Sequence, residues 1–276
     1  SRGLGDVYKR QLLLLIVLPV CSKNVSHFSI YEIMCEQQVE PLGIENKSPR
    51  FSWKVVSQQR AYRQSAYRIL VTDIEGALAA DEGTIWDSGK CFSSNSVLIP
   101  FQGRELHSAT RYYWKVKVWN EAGEESVWSK QGSFVTGMMK ERDWGKAQWI
   151  ALEKDDPEKN LYPGIHAPLV GKMIGGRKVG GYKLPMFRKE LLINKEVKEA
   201  IVNISGLGHF DFYVNGEKVG NHFLDPGWTN YAKTALYLTF DVTPLLKKEN
   251  VLGVILGNGF YNVPVSYTHL RAHETC

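Results

Sequence analysis

RYYWKVKVW, residues 111–119, alternates as an extended strand does. Successive side chains of a strand point to opposite faces, so Tyr112, Trp114, Val116 and Val118 share one face and Tyr113, Lys115 and Lys117 the other. The first set predicts a core face and the second a face in water. Similar segments lie on either side: FSWKVV (51–56), AYRILVTD (66–73), SVLIPF (96–101) and GSFVT (132–136). Turns at Glu75-Gly76, Asp87 to Lys90 and Glu121 to Glu124 divide them. Leu106 stands six residues before Tyr112 at the head of the strand, which is the spacing of a tyrosine corner. Residues 34–139 therefore read as a fibronectin III/immunoglobulin-like β-sandwich.

Beyond DWGKAQWI (143–150), the segment from Ala151 to Pro185 turns polar and rich in Gly, Lys and Pro. Its glycines lack the strand and helix that frame a phosphate-cradling loop, so a long surface loop or lid is expected. Strand patterns then resume in MFRKELLI (186–193), EAIVNISG (199–206), HFDFYVNGEKVG (209–220), ALYLTFDVT (235–243) and NVLGVILGNGFY (250–261). Phe210, Phe212 and Val214 alternate with Asp211 and Tyr213, and Asn215-Gly216 supplies a two-residue hairpin turn. TPLLKKEN (243–250) predicts a single helical turn with Pro244 near its start. The fold class is all-β, with a second, jelly-roll-like sandwich over residues 140–264.

The two ends call for separate treatment. A legal back-translation of Val265 to Thr275, read as its reverse complement, encodes residues 1–10. Unrelated protein termini do not have this relation, and the repeated DNA looks like a transposon-end adapter, so residues 1–11 and 265–276 are expected not to be protein sequence. Removing Arg2, Lys9, Arg10 and Arg271 from 34 basic residues leaves 30, removing Asp6 and Glu274 from 29 acidic residues leaves 27, and the excess falls from +5 to +3. With no basic run longer than Lys247-Lys248, this is no footprint for nucleic acid.

Residues 12–33 read as a signal-peptide remnant and linker: nine apolar residues, Leu12 to Val20, are too short to span a bilayer and suit an export h-region. The expected location is periplasm, outer membrane or extracellular space. Cys21 directly after that run is a candidate lipidation residue and hence a membrane tether, against the plainer reading of an inert cysteine in a discarded peptide. Cys35 and Cys91 read as two buried free thiols, with a single bridge as the alternative in an oxidising compartment.

Several blocks are more specific than their strand pattern. PLGIENKSPRFSWKV (41–55), WDSGK (86–90), RYYWKVKVW and WSKQGSFVTG (128–137) resemble the N-terminal fibronectin-like domain of bacterial α-L-rhamnosidases of the large inverting family. FRKELLI, AIVNISGLGHFDFYVNGEKVGNHFLDPGWTNY (200–231), LYLTFDVTPLL and VLGVILGNGFYNVP resemble the next β-sandwich of those enzymes. The resemblance covers nearly all of Met34 to Pro264. It implies a truncated fragment: a structural, non-catalytic front end of a glycoside hydrolase whose acid and base lie in a later domain. The parent's implied chemistry is inverting hydrolysis of terminal α-L-rhamnosides, with a rhamnosylated glycan and the downstream domains of the same chain as partners. Asp211 on a strand and Asp225 in a turn read as solvated or turn-forming carboxylates, and no residue matches a catalytic motif.

The candidates for sugar contact are His209, Asp225, Trp228, Asn230, Tyr231, Asn258 and Tyr261, because aromatic faces stack on sugar rings while planar polar groups exchange hydrogen bonds with hydroxyls. Against this, Trp228 and Tyr231 equally suit packing on neighbouring domains. No second His or Cys stands at ligand spacing from His209, so neither metal nor other cofactor is expected. Phe223, Leu224, Trp228, Tyr231, Phe260, Tyr261 and Val263 are too many large side chains for one small sandwich to bury, which predicts an exposed apolar surface. The alternative function is an autonomous carbohydrate-binding or adhesion protein of two sandwiches.

Overall fold

The structure is a computed structural model that describes residues 28–151, 173–174, 177–178, 184–231 and 233–257. Among these residues regular structure is strand, apart from short 3₁₀ turns.

The first sandwich faces two antiparallel sheets against each other. One contains β1 (Phe28–Cys35), β2 (Arg50–Ser57) and β6 (Ile99–Pro100) in the order β1-β2-β6. In the other, β3 (Gln64–Thr72) pairs with β4 (Trp86–Asp87), β5 (Cys91–Phe92) and β7 (Arg111–Asn120), and β7 pairs with β8 (Gly132–Val135). Tyr112, Trp114, Val116 and Val118 are buried with Phe51, Trp53, Ile69, Val71 and Phe134 in one core. The buried indole of Trp53 donates to Gln64 Oε1 at 3.0 Å, and Gln64 in turn donates to the Ser93 and Asn95 carbonyls, so this polar pair enters the core with its hydrogen bonds made. Tyr112 closes the corner expected of it: its hydroxyl accepts from the His107 amide at 2.8 Å, with Leu106 buried beside it.

Two sequence readings are corrected here. Residues 28–33, read as linker, belong to β1, and Phe28 is part of the core. Glu32 at φ 48° and the register shift between Tyr31 and Met34 form a bulge that breaks the alternation, so this strand lacks the period-2 pattern. Lys115, read as solvent-facing, is 7 % exposed. The 3₁₀ turn Ala77–Ala80 folds over its face of the sheet, where the ammonium meets the Leu78 carbonyl, the Asp81 carboxylate and, at 4.5 Å, the ring of Trp128. Burial of a charge is tolerated where the charge is paired in this way. Cys35 and Cys91 are free thiols; the first is buried, which pushes its pKa up, and the second is half-buried and donates to the Ser88 carbonyl at 3.3 Å.

Within the Gly-rich segment the described residues form a short antiparallel pair, β9 (Met173–Ile174) with β10 (Arg177–Lys178). The second sandwich sets a four-stranded sheet against a two-stranded one. The larger contains β11 (Met186–Leu192), β16 (Glu249–Leu256), β13 (Phe210–Val214) and β14 (Glu217–Lys218) in that order, and the smaller pairs β12 (Ile201–Ser205) with β15 (Tyr237–Asp241). Phe210, Phe212, Val214, Val219, Phe240 and Val242 make its core. Asn215 and Gly216 take the positive φ angles of the hairpin between β13 and β14, 53° and 87°. The Asn215 side chain also donates to the Leu245 carbonyl at 2.8 Å, which ties down the 3₁₀ turn Thr243–Leu245 that carries Pro244. Two strands cannot cover four: every residue of β12 stays partly exposed, and β11 is mostly open on both faces.

The two sandwiches meet along the outer face of β15, from which Tyr237, Thr239 and Asp241 point away from their own core. The Met138 amide donates to the Tyr237 hydroxyl at 2.7 Å, and Trp144 packs edge-on against the same ring at 5.0 Å. A Cβ on Gly137 would stand 2.2 Å from that hydroxyl, and one on Gly43 2.7 Å from Thr239 Oγ1, so both positions require glycine for the close approach. Arg111 completes the joint, reaching Glu199 with Nε and Asp241 Oδ2 with Nη2 at 2.6 Å. Asp241 is itself held by the Thr243 hydroxyl at 2.6 Å.

Candidate functional site

Five of the seven sugar-contact candidates fall on one end of the second sandwich, on the turn into β13 and the loop that follows β14. His209 ends the Gly206–Gly208 turn immediately before β13, and its carbonyl accepts from the Gly257 amide at 2.6 Å. The next residue, Phe210, donates its amide to the Asp225 carbonyl at 2.7 Å. The loop is thus held by its backbone against the residue after His209, and His209 and Asp225 come together although they are well apart in the sequence. Asn258 and Tyr261 lie outside the described residues, as do Phe260, Val263 and the lipidation candidate Cys21.

Around this contact the polar groups are largely committed. The Asp225 carboxylate sits 3.1 Å from His222 Nδ1, and the His222 ring packs on Phe240 at 5.9 Å. Asp211 pairs with Lys218 at 2.6 Å, a hydrogen bond that raises the lysine pKa above its ordinary value. Lys218 also lies 5.3 Å from the centre of the Phe223 ring. Asp211 and Asp225 therefore each have a cation or histidine partner, as expected of a structural carboxylate. Among the described residues no group of three or more His, Cys, Asp or Glu could hold a metal ion.

The apolar side chains behave differently. Phe223 is 85 % exposed, Leu224 72 % and Trp228 63 %. Most of the Trp228 side chain thus faces solvent rather than the core of its own domain. Asn230 is exposed as well, with its carbonyl closing a turn onto the Lys233 and Thr234 amides at 2.9 Å. Tyr231 is half-buried, and desolvation raises its hydroxyl pKa. An exposed indole beside an exposed amide can stack on a sugar ring and exchange hydrogen bonds with its hydroxyls. The sequence reading missed His222, the partner of Asp225. A histidine three positions before an aspartate in a Pro- and Gly-containing loop was the available signal.

Comparison with known proteins places both halves. Residues 30–140 match the Rha78A-like, N-terminal immunoglobulin domain, and residues 195–275 match the Alpha-L-rhamnosidase N-terminal domain. The second match runs into residues 265–275, the stretch that the codon reading sets aside. An alpha-L-rhamnosidase of Formosa agariphila is 41 % identical over 237 residues, which is 86 % of this chain and 25 % of that protein. One from Alteromonas sp. is 34 % identical over 81 % of this chain and 23 % of its own length. Among solved structures, the alpha-L-rhamnosidase from Dictyoglumus thermophilum superposes with a TM-score of 0.73 at 38 % identity, over 84 % of this chain and 25 % of that one. The enzyme from Aspergillus terreus gives 0.69 at 26 % identity, over 89 % of this chain and 26 % of its own. The chain thus spans about a quarter of the length of these relatives. Residues 30–140 and 195–275 belong to the two N-terminal domain families of the α-L-rhamnosidases, and the chain corresponds to the N-terminal quarter of those enzymes.

Proposed function

We propose that the chain is the accessory N-terminal portion of an exported α-L-rhamnosidase, and that it contributes structure and substrate positioning rather than the hydrolytic step. The observation that carries this reading is the joint one: both sandwiches match N-terminal domains of α-L-rhamnosidases, while together they make up only a quarter of such a protein. In the whole enzyme, one carboxylic acid protonates the leaving oxygen and a carboxylate on the opposite face activates water. An inverting enzyme holds the two roughly 6.5–9.5 Å apart. Those groups belong to later domains. Asp211 and Asp225, engaged with Lys218 and His222, serve the sandwich itself.

The joint built from Arg111, Tyr237, Gly43 and Gly137 fits this role, since a rigid pair of domains fixes the direction in which the rest of an enzyme is carried. Phe223, Leu224 and Trp228 supply a surface for a neighbouring domain or for the substrate's sugar, with His209, Asp225, Asn230 and Tyr231 on the same loop and turn. Cys21 is the proposed point of attachment to a membrane.

A graft tests the reading. Residues 28–257 should replace the corresponding N-terminal quarter of the Formosa agariphila α-L-rhamnosidase and give a soluble enzyme that releases L-rhamnose from an aryl α-L-rhamnoside. A graft that is insoluble or inactive, beside a parent enzyme that is active under the same conditions, would count against it.

A further inference from the structure

The outer face of the first sandwich carries an aromatic strip that the reading above leaves without a role. Phe92 on β5 and Trp119 on β7 are both register partners of Ala66 on β3, so the three form one row across adjacent strands. Two strand spacings put the two aromatic residues about 10 Å apart on one face. Ala66, the smallest of the three, lies buried between them, and Phe92 is 84 % exposed. The Lys90 ammonium stands over both rings, 4.5 Å from the centre of Trp119 and 5.5 Å from that of Phe92.

Charge distinguishes this lysine from its neighbours. One row along, Arg68 is paired with Asp87 at 2.7 Å and Lys117 with Glu125 at 3.4 Å, and beyond them Lys115 is paired with Asp81. Trp128 lies against all three of those cations, with its ring centre 4.5 to 5.9 Å away. That half of the face is therefore neutralised and closed. Lys90 has no carboxylate partner among the described residues; of the two rings that flank it Phe92 is open and Trp119 half-buried.

We propose that Phe92, Lys90 and Trp119 form a binding strip for an anionic glycan, separate from the loop of the second domain. The rings contact the CH faces of two sugars one residue apart, and Lys90 pairs with a carboxylate or sulfate on the sugar between them. A neutral glycan gains only the stacking, and a non-sugar polyanion gains only the charge. Both parts are needed for tight binding.

Calorimetric titration of the full chain decides this, with oligogalacturonate as the carboxylate probe, a sulfated dextran oligosaccharide as the sulfate probe, and neutral malto-oligosaccharide and oligoglutamate as controls. One or both anionic glycans should bind, and whichever binds identifies the substituent. Phe92→Ala and Lys90→Gln should each weaken that binding by about tenfold, the loss of one stacking or charge contact. Both side chains are exposed, so circular dichroism of the variants should match that of the parent chain. The proposal is overturned if neither anionic glycan binds, if oligoglutamate or the neutral sugar binds as tightly, or if both variants bind like the parent.

Discussion

Glu36 is a half-buried carboxylate held by one arginine, Arg50. Arg50 donates from Nε to both oxygens of Glu36 and from Nη2 at 2.6 Å, and these hydrogen bonds hold the carboxyl below its ordinary pKa. Asp87 is lowered in the same way by Arg68. A carboxyl whose pKa falls on folding stabilises the fold fully above its unfolded value, about 4.3 for glutamate, and loses that contribution as the pH drops through the folded value. Glu36→Gln should therefore lower stability at neutral pH and flatten the acid limb of a denaturation midpoint measured against pH. Curves that run parallel for the variant and the parent chain would show that the pair carries no linkage. Trp114 acts through packing instead. It is buried, with its ring 4.5 Å from Phe51, so Trp114→Ala should cost about 3–5 kcal/mol in urea denaturation, as for large aromatic truncations in cores. A loss below about 1 kcal/mol, the range of surface substitutions, would mean that this face of β7 is not the core.

Among the elements, β15 matters most, because its inner face serves the second core and its outer face makes the joint. Leu238 and Phe240 point inward, while Tyr237 and Asp241 reach the first domain. Gly137→Ala would drive a methyl group into the Tyr237 hydroxyl, breaking its bond with Met138. The loss of this part-buried hydrogen bond is worth about 0.5–1.5 kcal/mol, so hydrogen exchange of the β15 amides should speed up while β3 and β7 keep their protection. Unchanged exchange in β15 would show that the joint does not support that strand. Such local features differ in how far the sequence reveals them. The alternation of β7, the Asn215-Gly216 hairpin and the turn at Pro244 follow from nearest neighbours and are legible. The bulge in β1, the burial of Lys115 under a 3₁₀ turn and the Arg111 contacts with Glu199 and Asp241, 88 and 130 positions away, depend on tertiary partners and leave no local pattern. At the candidate site, Trp228 and Asn230 were readable as loop residues of the right chemistry. The exposure of Trp228, and the His222 partner of Asp225, required the fold.

At the scale of the whole molecule the two sandwiches are unequal. The first encloses a continuous aromatic core between sheets that cover each other. The second leaves a four-stranded sheet under a two-stranded one, and Met186 and Leu192 on its edge strand and Phe223, Leu224 and Trp228 on its loop lie in the open. That open sheet belongs to a chain that corresponds to the N-terminal quarter of much longer relatives. Asp211 and Asp241 on the second sandwich are engaged in ion pairs, and Asp225 lies against His222. The most direct measurement is the release of L-rhamnose from an aryl α-L-rhamnoside by the purified chain alone, with an intact α-L-rhamnosidase as the positive control. The chain should fold and release none above the uncatalysed background; release that scales with chain concentration would place the acid and base within these residues and contradict the account.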